Sequence, residues 1–310
     1  MTQHHNMNPK AAKKILVSGA SGFVGKHLSD FLKDQGHDIF SLTRSPKHDH
    51  DLAWDVLHRK IDLQKMEGFD AVIHLAGENI ASGYWTEEKK RAIADSRVEG
   101  TAFLIQTLEK CTRKPSVWIN ASAIGYYGDR DDEMLTEASS PGDSFLAKVC
   151  KSWEAQAQKC RTWPCRDVQL RFGIVLGPDG GALSKMLPTF SKGLGGKLGD
   201  GKQYMSWIEI DDLVSMISFC LSDDRTCGPI NACSPNPVRN EDFTLALSHA
   251  LDKPTLFRVP KLAVKAILGE GADEAFASTR VIPKKMLELG FEFQYPTIES
   301  AMKRVVGQLR

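Results

Sequence analysis

The chain has 310 residues, with 40 basic and 39 acidic side chains and a formal charge of +1. That length suits about two domains, or one domain with a large appendage, and the charge balance speaks against nucleic-acid and polybasic membrane partners. No apolar run reaches the ~20 residues that cross a bilayer, and seven cysteines, an odd number, fit reduced thiols in a cytoplasmic protein better than a disulfide frame.

Residues 1–12 read as a flexible polar leader. The apolar run at 15–17 then drives into glycines at 19, 22 and 25, and Phe23, Leu28, Phe31 and Leu32 follow at helical spacing. Strand, tight turn and helix is the context in which a glycine fingerprint signals dinucleotide binding. Gly19 permits the sharp turn, Gly22 admits a pyrophosphate to the backbone, and Gly25 lets the helix pack close to the strand. Ser21, Phe23 and Val24 complete the expected cradle, in which first-turn N–H groups and the helix dipole face the phosphates.

Further strands are expected at 38–44, shortly before Trp54-Asp55-Val56, and at 71–77, 116–122 and 167–176. Helices are expected at 86–111, capped by Thr86, and at 143–161. Such alternation predicts a Rossmann-type α/β fold, a doubly wound parallel sheet with right-handed crossovers. Ligands on such sheets bind beyond the carboxyl ends of the strands. That rule gathers the glycine loop, Arg44, Leu75, Ala76, Gly77, Ser122 and Phe172 around one crevice. The nucleotide-binding domain is placed at 13–180, with later segments free to return to it. A smaller mixed α/β lobe at 181–310, with a small domain from about 250, is expected to cover the crevice.

These segments resemble the extended short-chain dehydrogenase/reductase superfamily. The matching motifs are Gly19-Ala-Ser-Gly22-Phe-Val-Gly25, His74-Leu-Ala-Gly77, Ser96-Arg-Val-Glu-Gly-Thr101, Ala121-Ser122-Ala123 and Trp207-Ile-Glu-Ile-Asp-Asp212. Ser122-Ala-Ile-Gly-Tyr-Tyr-Gly-Asp129, Gly177-Pro-Asp-Gly-Gly-Ala182 and the segment 231–240 are similar to a narrower group. That group is the epimerase family of nucleotide-sugar epimerase-like proteins with a C-terminal domain of unknown function. The resemblance implies a nicotinamide cofactor, a small-molecule substrate such as a nucleotide-sugar, and a homodimer formed through the helices at 86–111 and 143–161. It also implies that Asp55 sits near the adenine amino group; a loop aspartate beside a buried Trp54 is the alternative.

The residue ending the second strand reads the adenosine ribose: an acid suits NAD, an arginine the 2′-phosphate of NADP. Arg44 occupies that position with no acid beside it, which points to NADP; a solvated surface arginine is the alternative. Relatives in the superfamily move protons with Ser and a Tyr-x-x-x-Lys pair one helical turn apart. The helix at 143–161 contains no tyrosine. Phe145 or Leu146 takes its place, followed four residues on by Val149 or Cys150. Ser122 remains as a hydroxyl donor or a buried strand-end serine. Tyr126 or Tyr127, partnered by Lys148, is the candidate replacement phenol, against the reading of both as loop aromatics. Arg171, Lys202, Gln203, Ser206, Trp207, Arg239 and Asn240 are secondary candidates for substrate contact; a structural ion pair for Arg171 and surface or loop-fixing roles for the others are the favoured readings. His74 reads as a core histidine, and no metal site is expected. The expected function is an NADP(H)-dependent oxidoreductase or epimerase-like enzyme, with a catalytically inactive NADP(H) sensor as the alternative.

Overall fold

The computed structural model describes residues 12–255 and 257–309, so all of the expected leader except Ala12 lies outside the described residues. Eight strands form one sheet: β1 (Lys14–Ser18), β2 (Asp38–Thr43), β3 (Asp51–Asp55), β4 (Lys60–Ile61), β5 (Ala71–His74), β6 (Val117–Ala123), β7 (Arg166–Phe172) and β8 (Gly228–Ala232), in the order β8-β7-β6-β5-β1-β2-β3-β4. Every pairing is parallel except β3 with β4. The central strands are apolar on both faces because helices cover both. Ile15 and Val17 pack with Leu28 and Leu32 of α1 (Phe23–Asp34), and with Leu213 and Ile217 of a helix at Ile210–Ser222. On the opposite face Leu16, Val72 and Trp118 pack with Leu104 and Leu108 of α2 (Glu87–Glu109). Each such fully buried side chain contributes roughly 1.5–3 kcal/mol.

Helix starts are set by local chemistry. The Thr86 side chain accepts from the Lys89 N–H, and Glu87 and Glu88 complement the dipole of α2. Ser144 caps α3 (Phe145–Ala157) in the same way, through the Ala147 N–H. The strand expected at 167–176 is broken at Gly173. A Cβ there would stand 2.8 Å from the Ser206 carbonyl oxygen, and Ile174–Leu176 leaves the main sheet to pair with Trp207–Glu209. Trp54 and Asp55 lie inside β3, whereas the sequence reading placed them after it. The second half of the chain packs α4 (Leu183–Phe190), a helix at Asn240–Leu251 and the C-terminal helix Ile298–Gly307 around Trp207. Residues 278–282 run back along the sheet edge, where Ser206 Oγ donates to the Thr279 carbonyl at 2.8 Å and Asn231 Nδ2 to the Ile282 carbonyl at 3.0 Å.

Two expectations follow. A Cβ at Gly25 would stand 2.1 Å from the Gly19 carbonyl oxygen, backbone that cannot step aside, so Gly25→Ala should cost about 1–3 kcal/mol and lower the melting temperature in calorimetry. Glu209 is fully buried and accepts from the Asp211 N–H at 2.6 Å; burial, with Asp211 nearby, pushes its carboxyl up to about 7 from an ordinary 4.5. A raised acid binds its proton more tightly when folded, so stability falls as pH rises from 4.5 through 7, by on the order of 3 kcal/mol. Denaturant titrations across that range should show this slope, and Glu209→Gln should remove it.

Candidate functional site

Gly19 takes φ +72°, and a Cβ on it would stand 3.0 Å from the Ala76 nitrogen and the Leu75 carbonyl carbon, so the turn after β1 lies directly against the turn after β5. Ser18 Oγ joins the two, accepting from the Leu75 and Ala76 N–H groups at 3.2 Å each and pairing with His74 Nδ1 at 2.6 Å. His74 is fully buried and desolvation lowers its pKa to about 3, so it is neutral. Gly22 caps α1 without a side chain and the first turn carries no acid, leaving the unpaired N–H groups of that turn open to an anion. Ser21 is exposed and Val24 half-buried beside them. The Phe23 ring is spent on packing: a Cβ on Gly177 or Gly180 would stand 2.5 and 2.2 Å from its atoms.

Arg44 and Asp55 line one cavity of about 340 Å³ with Trp54, Lys60, Asp62 and Lys65. Among the described residues Arg44 is exposed and has neither an ion-pair nor a hydrogen-bond partner. Asp55 is occupied. Its carboxylate accepts from His58 Nδ1 at 2.7 Å and from the His58 N–H at 3.1 Å, contacts that hold its pKa down.

On the other side of the crevice Ser122 Oγ donates to Glu154 Oε1 at 2.7 Å. Arg171 closes a two-pronged pair with the same carboxylate, Nε to Oε1 and Nη2 to Oε2 at 2.8 Å each. Its Nη1 donates at 2.9 Å to the Tyr127 hydroxyl, which donates in turn to Asn231 Oδ1 at 2.6 Å. Arg171 therefore makes the ion pair read as one of its options. Tyr127 is fully buried with both hydrogen-bonding positions engaged, and burial pushes its phenol well above the ordinary range. Of the two candidate phenols, Tyr127 is thus part of the buried framework and offers no free hydroxyl. Tyr126 is half-buried, its ring 3.5 Å from the Arg171 guanidinium carbon, and its hydroxyl has no partner among the described residues.

The α3 face turned to Ser122 carries Leu146, Cys150 and Glu154, which resolves the register left open above. Desolvation raises the Cys150 thiol to about 12. Lys148 is exposed and lies two residues from both Leu146 and Cys150, on the opposite side of the helix, so it does not join Ser122. Phe172 pairs with Ala123 at the carboxyl end of β7. Glu154 was not singled out in the sequence, and Cys150 and Asn231 were named only as a register option and as the start of the segment 231–240; the four-residue spacing from Leu146 through Cys150 to Glu154 hints at a shared face.

Of the secondary candidates, Lys202 is exposed, and the others are engaged in local packing or hydrogen bonds. Ser206 and Trp207 are buried, Asn240 Oδ1 accepts from the Leu198 N–H at 2.7 Å, and Arg239 pairs with Asp132 at 3.2 Å. A second cavity, about 290 Å³, is lined by Asp129, Ser144, Lys261, Asp273, Glu274 and Phe276. Among the described residues no cluster of His, Cys, Asp and Glu suits a metal ion, and no helix is long and apolar enough to cross a membrane.

The family model described as "NAD dependent epimerase/dehydratase family" matches residues 15–233, and a domain of unknown function (DUF1731) matches 259–305. The chain is 37% identical over 290 residues to "Epimerase family protein Mb2239" of Mycobacterium bovis, covering 93% of this chain and 96% of that one. A crystal structure of the human epimerase family protein SDR39U1 with NADPH superposes with TM-score 0.88 at 30% identity, covering 95% of this chain and 99% of that one. The nucleoside-diphosphate sugar epimerase of Corynebacterium glutamicum gives TM-score 0.80 at 34% identity, covering 96% of this chain and 59% of that one. The phosphate cradle, the sheet order and these matches converge: the chain belongs to the NAD dependent epimerase/dehydratase family.

Proposed function

We propose that this chain is an NADP(H)-dependent oxidoreductase or epimerase-like enzyme acting on a small polar substrate of the nucleotide-sugar class. The observation that carries the cofactor choice is the unpartnered Arg44 guanidinium at the end of β2, on the rim of the 340 Å³ cavity. Charge-assisted hydrogen bonds to a 2′-phosphate favour NADP over NAD by roughly tenfold to hundredfold. The human relative with NADPH and the C. glutamicum epimerase support the cofactor and the substrate class respectively.

A nicotinamide bound in the crevice would supply hydride chemistry. The first-turn N–H groups of α1 hold the diphosphate, and Arg44 holds the adenosine end. The buried Ser122–Glu154–Arg171–Tyr127–Asn231 chain is a rigid floor whose donors and acceptors are already engaged. Tyr126, its ring stacked on the Arg171 guanidinium, presents the uncommitted hydroxyl for proton exchange. The absence of a Tyr-x-x-x-Lys pair favours a second reading, an NADP(H) sensor without turnover.

Absorbance at 340 nm with NADPH and a panel of small carbonyls, together with product analysis of nucleotide-sugars incubated with the protein and NADP (epimerisation returns its hydride and leaves the absorbance unchanged), separates the two: turnover in either assay supports the enzyme, while tight binding without turnover in both supports the sensor. In calorimetry Arg44→Ala should lose tenfold or more in NADPH affinity with NADH affinity unchanged; equal losses would refute the role of Arg44. Tyr126→Phe should lower kcat by about 10²-fold or more. Tyr127→Phe should instead lower the melting temperature with kcat retained.

A further inference from the structure

The helix Lys261–Leu268, in the part of the chain matched by the domain of unknown function, has no buried residue. Successive residues of a helix turn by about 100°, so Leu262, Ala266, Ala263 and Ile267 share one arc of about 140°. All four are exposed, Leu262 at 79% and Ile267 at 69%. Val264 and Leu268, on the other side, are half-buried. A surface helix ordinarily turns its polar residues to solvent; this one turns an apolar arc outward.

Exposed apolar side chains continue on both sides of the helix. Phe257, exposed, opens a strand Phe257–Val259 that pairs with Gly196–Leu198. Exposed Leu194 lies just before that partner strand, next to Gly193, where a Cβ would stand 3.6 Å from Pro254 Cδ. At the other end of the helix a Cβ on Gly269 would stand 2.8 Å from the exposed ring of Tyr84. Apolar side chains scattered singly over a surface need no explanation, but a run of neighbours marks an interaction site. Charge then names the occupant. Residues 253–268 carry Lys253, Arg258, Lys261 and Lys265 and no acid, a local excess that the formal charge of +1 for the whole chain conceals. Lys261 pairs with Asp273 at 2.7 Å. Lys253, Arg258 and Lys265 are exposed and have no ion-pair partner among the described residues. A two-fold contact between copies uses the same patch on both and would set these cations against one another. An apolar arc rimmed by free cations is instead the pattern of a helix that lies in the plane of an anionic membrane.

We infer that the outward face of the helix Lys261–Leu268, with Phe257, Leu194 and Tyr84, is a docking surface for an anionic lipid bilayer. Leu262 and Ile267 enter the boundary between headgroups and acyl chains, and Lys253, Arg258 and Lys265 meet the lipid phosphates. The Trp85 N–H donates to the Leu268 carbonyl at 3.2 Å, so the docked helix is tied to the loop after β5 that borders the crevice.

Sedimentation of the full chain with unilamellar vesicles tests this, one set made of equal parts phosphatidylglycerol and phosphatidylcholine, the other of phosphatidylcholine alone. Wild type should bind the anionic vesicles about tenfold or more tightly than the neutral ones and lose most of that preference at high salt. Leu262→Ser combined with Ile267→Ser should weaken anionic binding about tenfold or more and leave the melting temperature unchanged, because both side chains already face water. Arg258→Ser combined with Lys265→Ser should remove most of the preference for anionic over neutral vesicles. Wild type that stays in the supernatant with both vesicle types would overturn the inference, as would undiminished binding by the Leu262→Ser, Ile267→Ser variant. So would a wild-type dimer, seen by light scattering, that the same two substitutions split into monomers, since that assigns the face to a second copy of the chain.

Discussion

The crevice depends on the approach of Gly25 to the Gly19 carbonyl. No side chain fits between them, since even a methyl carbon would fall 2.1 Å from that oxygen, and this closeness seats the start of α1 directly over the end of β1. Two further constraints act with it. Gly19 bends at positive φ against the Leu75–Ala76 peptide, and Ser18 Oγ ties both N–H groups of that turn to β1. The turn after β1 and the turn after β5 are thereby locked into one surface, with the unpaired first-turn N–H groups of α1 beside it.

The far wall follows a different principle. Glu154 and Arg171 are both nearly inaccessible, and a buried pair repays its desolvation only when the remaining donors and acceptors are met. Here Ser122 donates a further bond to the carboxylate, and Tyr127, held in turn by Asn231, accepts a further guanidinium N–H. The network fastens β6, α3, β7 and β8 to one another through side chains alone, and the backbone N–H of Asn231 extends it to Glu137 at 3.1 Å. Rigidity at Ser122 is gained at the expense of its freedom to move a proton. Arg44, whose guanidinium has no partner among the described residues, lies away from this network at the end of β2.

The sheet was legible in the sequence because its information is local: apolar runs at 15–17 and 71–73 and glycines at fixed offsets each carry their own geometry. The Thr86 cap was legible for the same reason. What escaped was pairing at long range. Nothing near Ser122 in sequence announces Glu154, 32 residues away, and Tyr127 as a crevice phenol looked reasonable until its hydroxyl proved shared between Arg171 and Asn231. The α3 register was ambiguous because Phe145 and Leu146 are both apolar; only the contact with Ser122 selects Leu146 and Cys150. The break at Gly173 was hidden because Ile174-Val175-Leu176 is as apolar as the strand before it, and its true partner, Trp207–Glu209, is set by tertiary packing.

Hydrogen–deuterium exchange with and without saturating NADPH tests the central claim most directly, because it reads the backbone amides that the account assigns to the cofactor. Slowed exchange should concentrate at residues 19–25 and 75–78, with weaker protection near residue 44. Exchange unchanged in those segments, or protection confined to the cavity beside Asp129, Lys261 and Phe276, would contradict it.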